Sequence, residues 1–164
     1  MKKSKVLFLC QDNATRSLMA EVIFRHLCGD QWEVHSAGQE SGGLHPLTLS
    51  ALQERGFASS GLVSKTLDQL PLREFDLLVT LSHEAQGIDL SEIKTKFVVH
   101  LPFENPAAAS GSQEQRADAF RRVRDQIYGR LSVLAHRLET QAKAQAAPVP
   151  FKDLNSFFPL AFWV

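Results

Sequence analysis

Apolar positions along the chain fall into blocks of two different periods. Val6 to Leu9 is an unbroken apolar run, the pattern of a strand buried on both faces. A polar loop follows. From Ser17 onward Met19, Ile23 and Leu27 recur every four residues with Leu18 and Val22 beside them, which predicts an amphipathic helix stopped at Gly29 and Asp30. Trp32 to His35 predicts a second short strand, ending at Ser36-Ala37-Gly38. After a loop with Gly42 and Gly43, Pro46 suits the first turn of a helix running to about Arg55. Phe75 to Leu81 and Lys96 to Leu101 predict two more strands, with a short helix opening between them at Ser82 to Gln86. The last helix carries Phe120, Val123, Ile127, Leu131, Leu134 and Leu138, an apolar stripe of helical spacing. Arg121, Arg122, Arg124 and Arg130 read as its solvated face.

Strands alternating with helices at these intervals are βαβ units. They predict the α/β class: a single three-layer domain with a four-stranded parallel sheet and helices on both faces. Right-handed crossovers place the first strand centrally and its following loop at a switch point, where such sheets bind ligands. From about Gln141 the pattern dissolves into Gln and Ala and then Pro148-Val149-Pro150. Residues 1–140 are therefore assigned to the domain and 141–164 to a linker and an aromatic C-terminal tail. That tail, FKDLNSFFPLAFWV, holds five aromatic residues and is too short to span a membrane. Such a segment is expected to dock, either on its own domain or on a partner.

Charge narrows the field. Lys plus Arg equals Asp plus Glu, 18 against 18, so no global field draws the chain to nucleic acid or to a membrane surface, and neither is expected as a partner. Any anion affinity has to be local. The start, MKKSKVLFLC, has too short an apolar region for a signal peptide, and Asp12 arrives too early. The two cysteines, Cys10 and Cys28, form no CxxC and no cluster with histidine, which argues against a disulfide scaffold or a metal site. A reducing, cytoplasmic setting with Cys10 as a free thiol is expected. His35, His45, His83 and His100 are scattered without metal-ligand spacing and read as structural.

The informative segment is Cys10-Gln11-Asp12-Asn13-Ala14-Thr15-Arg16-Ser17, a Cys-x5-Arg loop between a buried strand and an amphipathic helix. A loop in that position wraps the backbone N–H groups of Gln11 to Arg16 around an anion, and the helix N-terminus adds partial positive charge. The same field favours thiolate over thiol at Cys10. Arg16 can offer two parallel N–H donors to a tetrahedral oxyanion, a geometry lysine cannot match. Ser17 can donate its hydroxyl to the sulfur, and Asn13 tolerates the left-handed backbone of a tight loop.

VLFLCQDNATRSLMAEVIFRH resembles the opening of the superfamily of low-molecular-weight protein tyrosine phosphatases and thioredoxin-type arsenate reductases. The resemblance continues through HSAG, GLHPLTLSALQERG, SKTLDQL and FDLLVTLS, and Phe103 to Ile127 looks like the arsenate-reductase branch. It implies a phosphotyrosine phosphatase I-like fold and a reaction in two steps. The Cys10 thiolate attacks the oxyanion centre while Arg16 and the loop amides hold the equatorial oxygens, and a covalent sulfur adduct then breaks down. In the phosphatases an Asp before a Pro supplies the leaving-group proton. In the reductases further cysteines resolve the adduct.

Three departures stand out against that pattern. The acid position falls on Asn105, which cannot deliver a proton; loss of such an acid costs about 10²–10⁴ in rate for a poor leaving group. Glu104 is adjacent. The resolving positions carry Ser82 and Asp89, Thr15 stands where some reductases have another cysteine, and Cys28 lies about 16 Å along the helix from Ser17. Asp12 replaces a small residue: turned inward its carboxylate opposes Arg16, and turned outward it costs little. Three readings stay open. One is an enzyme on a small oxyanion or phosphorylated substrate, with no resident cofactor and an external thiol such as glutathione as reductant. Another is a weakened oxyanion- or phosphoprotein-binding module. In the third, the tail gates the loop.

Overall fold

The computed structural model describes residues 2–144; the expectations for the aromatic tail and its gating role lie outside them. Four parallel strands, β1 (Ser4–Cys10), β2 (Trp32–Gly38), β3 (Glu74–Thr80) and β4 (Lys94–His100), form one sheet in the order β2-β1-β3-β4. The central place of β1 is what right-handed crossovers dictate. β2 runs three residues past its predicted end, because Ser36, Ala37 and Gly38 stay in register with Phe8, Leu9 and Cys10.

Alternation along β1 divides the core. Val6, Phe8 and Cys10 face the helices α1 (Arg16–Cys28), α2 (Pro46–Glu54) and α3 (Gln113–Ala144), while Leu7 and Leu9 face the opposite side. On the helical side Phe24, Leu52, Phe120 and Ile127 close over the sheet. The other side is covered by short 3-10 turns at Leu67–Gln69 and Glu84–Gly87, with Leu70, Phe75, Ala85 and Ile88 buried beneath them. Helical turns thus cover both faces, unequally. Pro46 occupies the first turn of α2, and the His45 imidazole caps it by accepting the Leu47 N–H at 3.1 Å. α3 runs past its last apolar stripe residue, Leu138, to Ala144 through Gln, Ala and Lys, all good helix formers.

Arg124 corrects the reading of α3. It lies four residues after Phe120 and three before Ile127, which puts it on the inward face, and it is 5% exposed. Its guanidinium donates to the Ala51 carbonyl at 2.8 Å and to Glu54 at 3.3 Å, tying α3 to the end of α2. Arg121 is also engaged, bridging Glu54, Glu114 and Asp118. The Arg130 guanidinium lies over the Phe103 ring, 5.8 Å from its centre. Only Arg122 is exposed as expected.

Arg124→Ala strands the Ala51 carbonyl and opens a gap. It is expected to lower unfolding free energy by about 2–4 kcal/mol, whereas Arg122→Ala should stay within about 0.5 kcal/mol. Urea-denaturation midpoints of the two variants check this difference.

Candidate functional site

β1 ends at Cys10 and α1 begins at Arg16, so five residues reverse the chain at the carboxyl edge of the sheet. Asn13 is the pivot. It has a φ of 46°, the left-handed region that Asn tolerates better than most residues, and it is fully buried. Its amide orientation follows from its partners. The Lys65 backbone N–H can only donate, so the oxygen that receives it at 2.7 Å is Oδ1. Nδ2 therefore donates to Ser17 Oγ at 2.7 Å and to Ser36 Oγ at 3.0 Å.

This orientation bears on the next link. With one lone pair taken by Asn13, Ser17 Oγ still has its proton to offer to Cys10 Sγ at 2.8 Å. A hydroxyl donated to sulfur favours the charged form of the sulfur. Ser36 in turn donates to Glu21 Oε2. Glu21, 7% exposed, is held by Arg25 at 2.6 Å and Lys65 Nζ at 3.6 Å. A buried hydrogen-bonded chain thus runs from Cys10 through Ser17, Asn13 and Ser36 to a compensated carboxylate. Sequence reasoning missed Ser36, Glu21 and Lys65; the signal available for Glu21 was its place one turn beyond Ser17 in a largely apolar helix.

Gly38 lets the loop sit this close to β2. A Cβ there would lie 2.7 Å from the Asn13 nitrogen and 2.9 Å from the Asp12 carbonyl carbon. The mouth of the loop carries donors with unmet capacity. The first N–H groups of α1 have no partner inside the helix, and the Thr15 side chain does not cap them. Thr15 Oγ1 and Arg16 Nε are buried without a hydrogen-bond partner. The Arg16 guanidinium is anchored through its NH1 group to the Phe103 carbonyl at 3.0 Å, so it is aimed, not free to wander.

Asp12 turns inward. Its Oδ1 accepts the Ala14 N–H at 3.2 Å and the Cys10 S–H at 3.8 Å. Asn105 is spent locally, capping the turn at Pro106–Ala108 by accepting the Ala107 N–H at 3.1 Å. Glu104 is exposed. The Glu84 carboxyl is held below the usual range by a backbone N–H, then by Ser82, with Arg16 and His83 contributing, which makes it a poor proton donor. Ser82 is buried and caps the turn at Ala85, while Asp89 sits in an exposed turn with Ser91.

Cys28 packs at the far end of α1 and donates to the Phe24 carbonyl at 3.4 Å. Burial, and secondarily Asp30, push its thiol up to about 12. The histidines are less scattered than the sequence suggests. Register between β3 and β4 sets Thr80 opposite His100, whose Nδ1 meets Thr80 Oγ1 at 2.7 Å, and the His83 ring lies 5.4 Å from the His100 ring. Burial, then His83, lower the His100 pKa. Among the described residues no group of three His, Cys, Asp or Glu side chains is placed to hold a metal ion, and no helix is long and apolar enough to cross a membrane. A cleft of about 340 Å³ between Thr66, Arg73 and Ile93 contains no loop residue.

A strand, a tight loop opening on a helix N-terminus, and a cysteine and an arginine at the loop's two ends define an α/β phosphate-loop protein. Residues 5–144 match the low molecular weight phosphotyrosine protein phosphatase family, and the chain belongs to it. An arsenate reductase of Halalkalibacterium halodurans is 40% identical over 135 residues, which covers 82% of this chain and 97% of the relative. The structure of an arsenate reductase in a phosphate-binding state superposes with a TM-score of 0.68 at 27% identity, over 82% of this chain and 98% of that one. A low molecular weight protein tyrosine phosphatase from Bacillus subtilis gives 0.66 at 25% identity, over 84% and 99%. The family is one of enzymes, phosphatases and arsenate reductases, acting on phosphate or arsenate oxyanions or on phosphoproteins.

Asn13→Ala removes three hydrogen bonds and puts a Cβ-bearing residue without local support at positive φ. It is expected to destabilise the fold by about 3 kcal/mol or more. Thermal melting compared with Asn13→Gly separates the parts: Gly should recover the backbone cost only, not the hydrogen bonds.

Proposed function

We propose that this chain is an arsenate reductase-like enzyme in which Cys10 is the nucleophile, Arg16 and the amides of Gln11 to Arg16 hold the oxyanion, and an external thiol such as glutathione completes the reaction. The observation that carries the reading is the Cys10–Ser17 contact at 2.8 Å, at the base of a loop whose arginine keeps a buried, unpaired N–H. The thiolate attacks arsenic, and one arsenate oxygen leaves as water after taking up protons from solvent. Ser17 stabilises the sulfur both as nucleophile and as leaving group. The outside thiolate then attacks Cys10 Sγ. The S–As bonding pair stays on arsenic, reducing it from As(V) to As(III), and arsenite departs. A second thiol regenerates Cys10 and leaves a disulfide between the two reductant molecules.

The need for an outside thiol follows from what Cys28 can do. It is the only other cysteine in the chain, it lies at the opposite end of α1, and a thiol pushed up to about 12 supplies little thiolate. Arsenate also tolerates the loss of the Asp acid better than an aryl phosphate does, because its oxygens exchange readily without a strongly acidic donor. A cytoplasmic setting, where such thiols are kept reduced, fits this chemistry.

A second reading is a binding module that retains the loop and has lost turnover. It is favoured by Asn105, whose side chain is occupied as a cap and has no proton to give. The two are separated by arsenite formation with glutathione as sole thiol, with p-nitrophenyl phosphate hydrolysis measured alongside and Cys10→Ser as blank. The expected result is thiol-dependent arsenite formation with hydrolysis lower by about 10²-fold or more. No turnover on either, in protein that still binds phosphate, would establish the binding module.

A further inference from the structure

Asp12 is the one carboxylate turned into the loop, and the mechanism above gives it no task. Its Oδ1 accepts the Ala14 N–H, a donor of the loop main chain, and the Cys10 S–H at 3.8 Å. The sulfur beneath it is fully buried. The main chain at Asp12 is fixed. The Asp12 carbonyl is pinned by the Gly42 N–H at 2.8 Å and by Ser64 Oγ at 3.5 Å, and a Cβ on Gly42 would already lie 3.2 Å from the Asp12 Cβ. Its charge is not neutralised either. Among the described residues no Lys, Arg or His forms an ion pair with Asp12, whereas Glu21 has Arg25 and Lys65, and Arg16 is anchored on the Phe103 carbonyl.

We propose that Asp12 is a specificity-determining residue, an internal anion that filters incoming oxyanions by their charge. The inference rests on the loop's being the oxyanion site. An anion entering the cradle has to take the Ala14 N–H from the carboxylate and then sit beside it. The hydrogen-bond exchange costs every tetrahedral oxyanion alike. The Coulomb repulsion scales with the charge of the guest, so a dianion is penalised about twice as heavily as a monoanion, in free energy, at the same position. The loop is thereby biased toward singly charged oxyanions and against fully ionised phosphate monoesters. Arg16 and the helix N-terminus supply attraction; Asp12 sets how much guest charge that attraction can carry.

Sulfate and perchlorate test this directly, because both are tetrahedral and their charges do not change near neutral pH. Asp12→Asn keeps an Oδ1 to accept the Ala14 N–H and replaces the charged second oxygen with a neutral NH2 donor, whose hydrogen bonds are open to both anions alike. Titration calorimetry at fixed ionic strength on the full chain and on Asp12→Asn is expected to show sulfate binding tightened about tenfold or more, and perchlorate distinctly less. Asp12→Gly, which also frees the amide, is expected to bind sulfate at least as tightly as Asp12→Asn and stands in for it if that variant does not fold. Unchanged sulfate affinity in the variants, or equal gains for the two anions, would overturn the charge filter while leaving the loop an anion site. Failure of both anions to bind any of the three proteins would remove the oxyanion site and the inference together.

Discussion

The site depends on one buried amide. Asn13 sits at positive φ in the middle of the loop, and its three hydrogen bonds reach three different parts of the fold: Ser17 at the start of α1, Ser36 near the end of β2, and the main chain at Lys65. Each partner is fixed by something larger. Ser36 is in the β1–β2 ladder opposite Phe8, and Lys65 lies next to Thr66, which bridges to Gly38. The loop cannot open without breaking contacts in the sheet. The same amide sets the position of the hydroxyl beside the sulfur, because Ser17 Oγ accepts from Asn13 and lies 2.8 Å from Cys10 Sγ.

Around that pivot the site is a balance of opposing fields. The unpaired N–H groups at the head of α1 and the anchored Arg16 attract negative charge, while Asp12 repels it from inside the same ring of atoms. Among the described residues Asn105 is a cap and the Glu84 carboxyl is held low, so neither is a ready proton donor. The proposed reading, a substrate that exchanges oxygen easily and a reductant from outside, rests on that combination and on the burial of Cys28. Membership of the phosphatase and arsenate reductase family agrees with that class of chemistry.

Much of this was legible in the letters. The apolar runs at Val6 to Leu9, Trp32 to His35, Phe75 to Leu81 and Lys96 to Leu101 placed the four strands, and the repeat after Ser17, Pro46 and the stripe from Phe120 to Leu138 placed the three helices. That Cys10, Arg16 and Ser17 would meet at one strand-to-helix loop was legible from the strand before them and the helix after them. What stayed hidden depends on contacts between distant segments. The stretch from Phe57 to Arg73 has no sustained period, so the Thr66 bridge gave no signal, and the 3-10 turn at Leu67 is marked only by the capping box of Thr66 and Gln69, which was missed. Arg124 was misread by its charge, although its spacing from Phe120 and Ile127 placed it inward. His83 and His100 meet only because β3 and β4 are neighbours. The direction of the Asp12 side chain is a rotamer choice within the folded loop, which no spacing rule encodes.

On the proposed route Cys10 forms the arsenic adduct and an outside thiol releases it. Intact-protein and peptide mass spectrometry, after a quench during turnover with arsenate and limiting glutathione, tests it most directly. One glutathione on Cys10 is expected, appearing only when arsenate is present, with Cys28 unmodified. Glutathione on Cys10 to the same extent without arsenate, or arsenite released with no modification of Cys10 at any time, would contradict it.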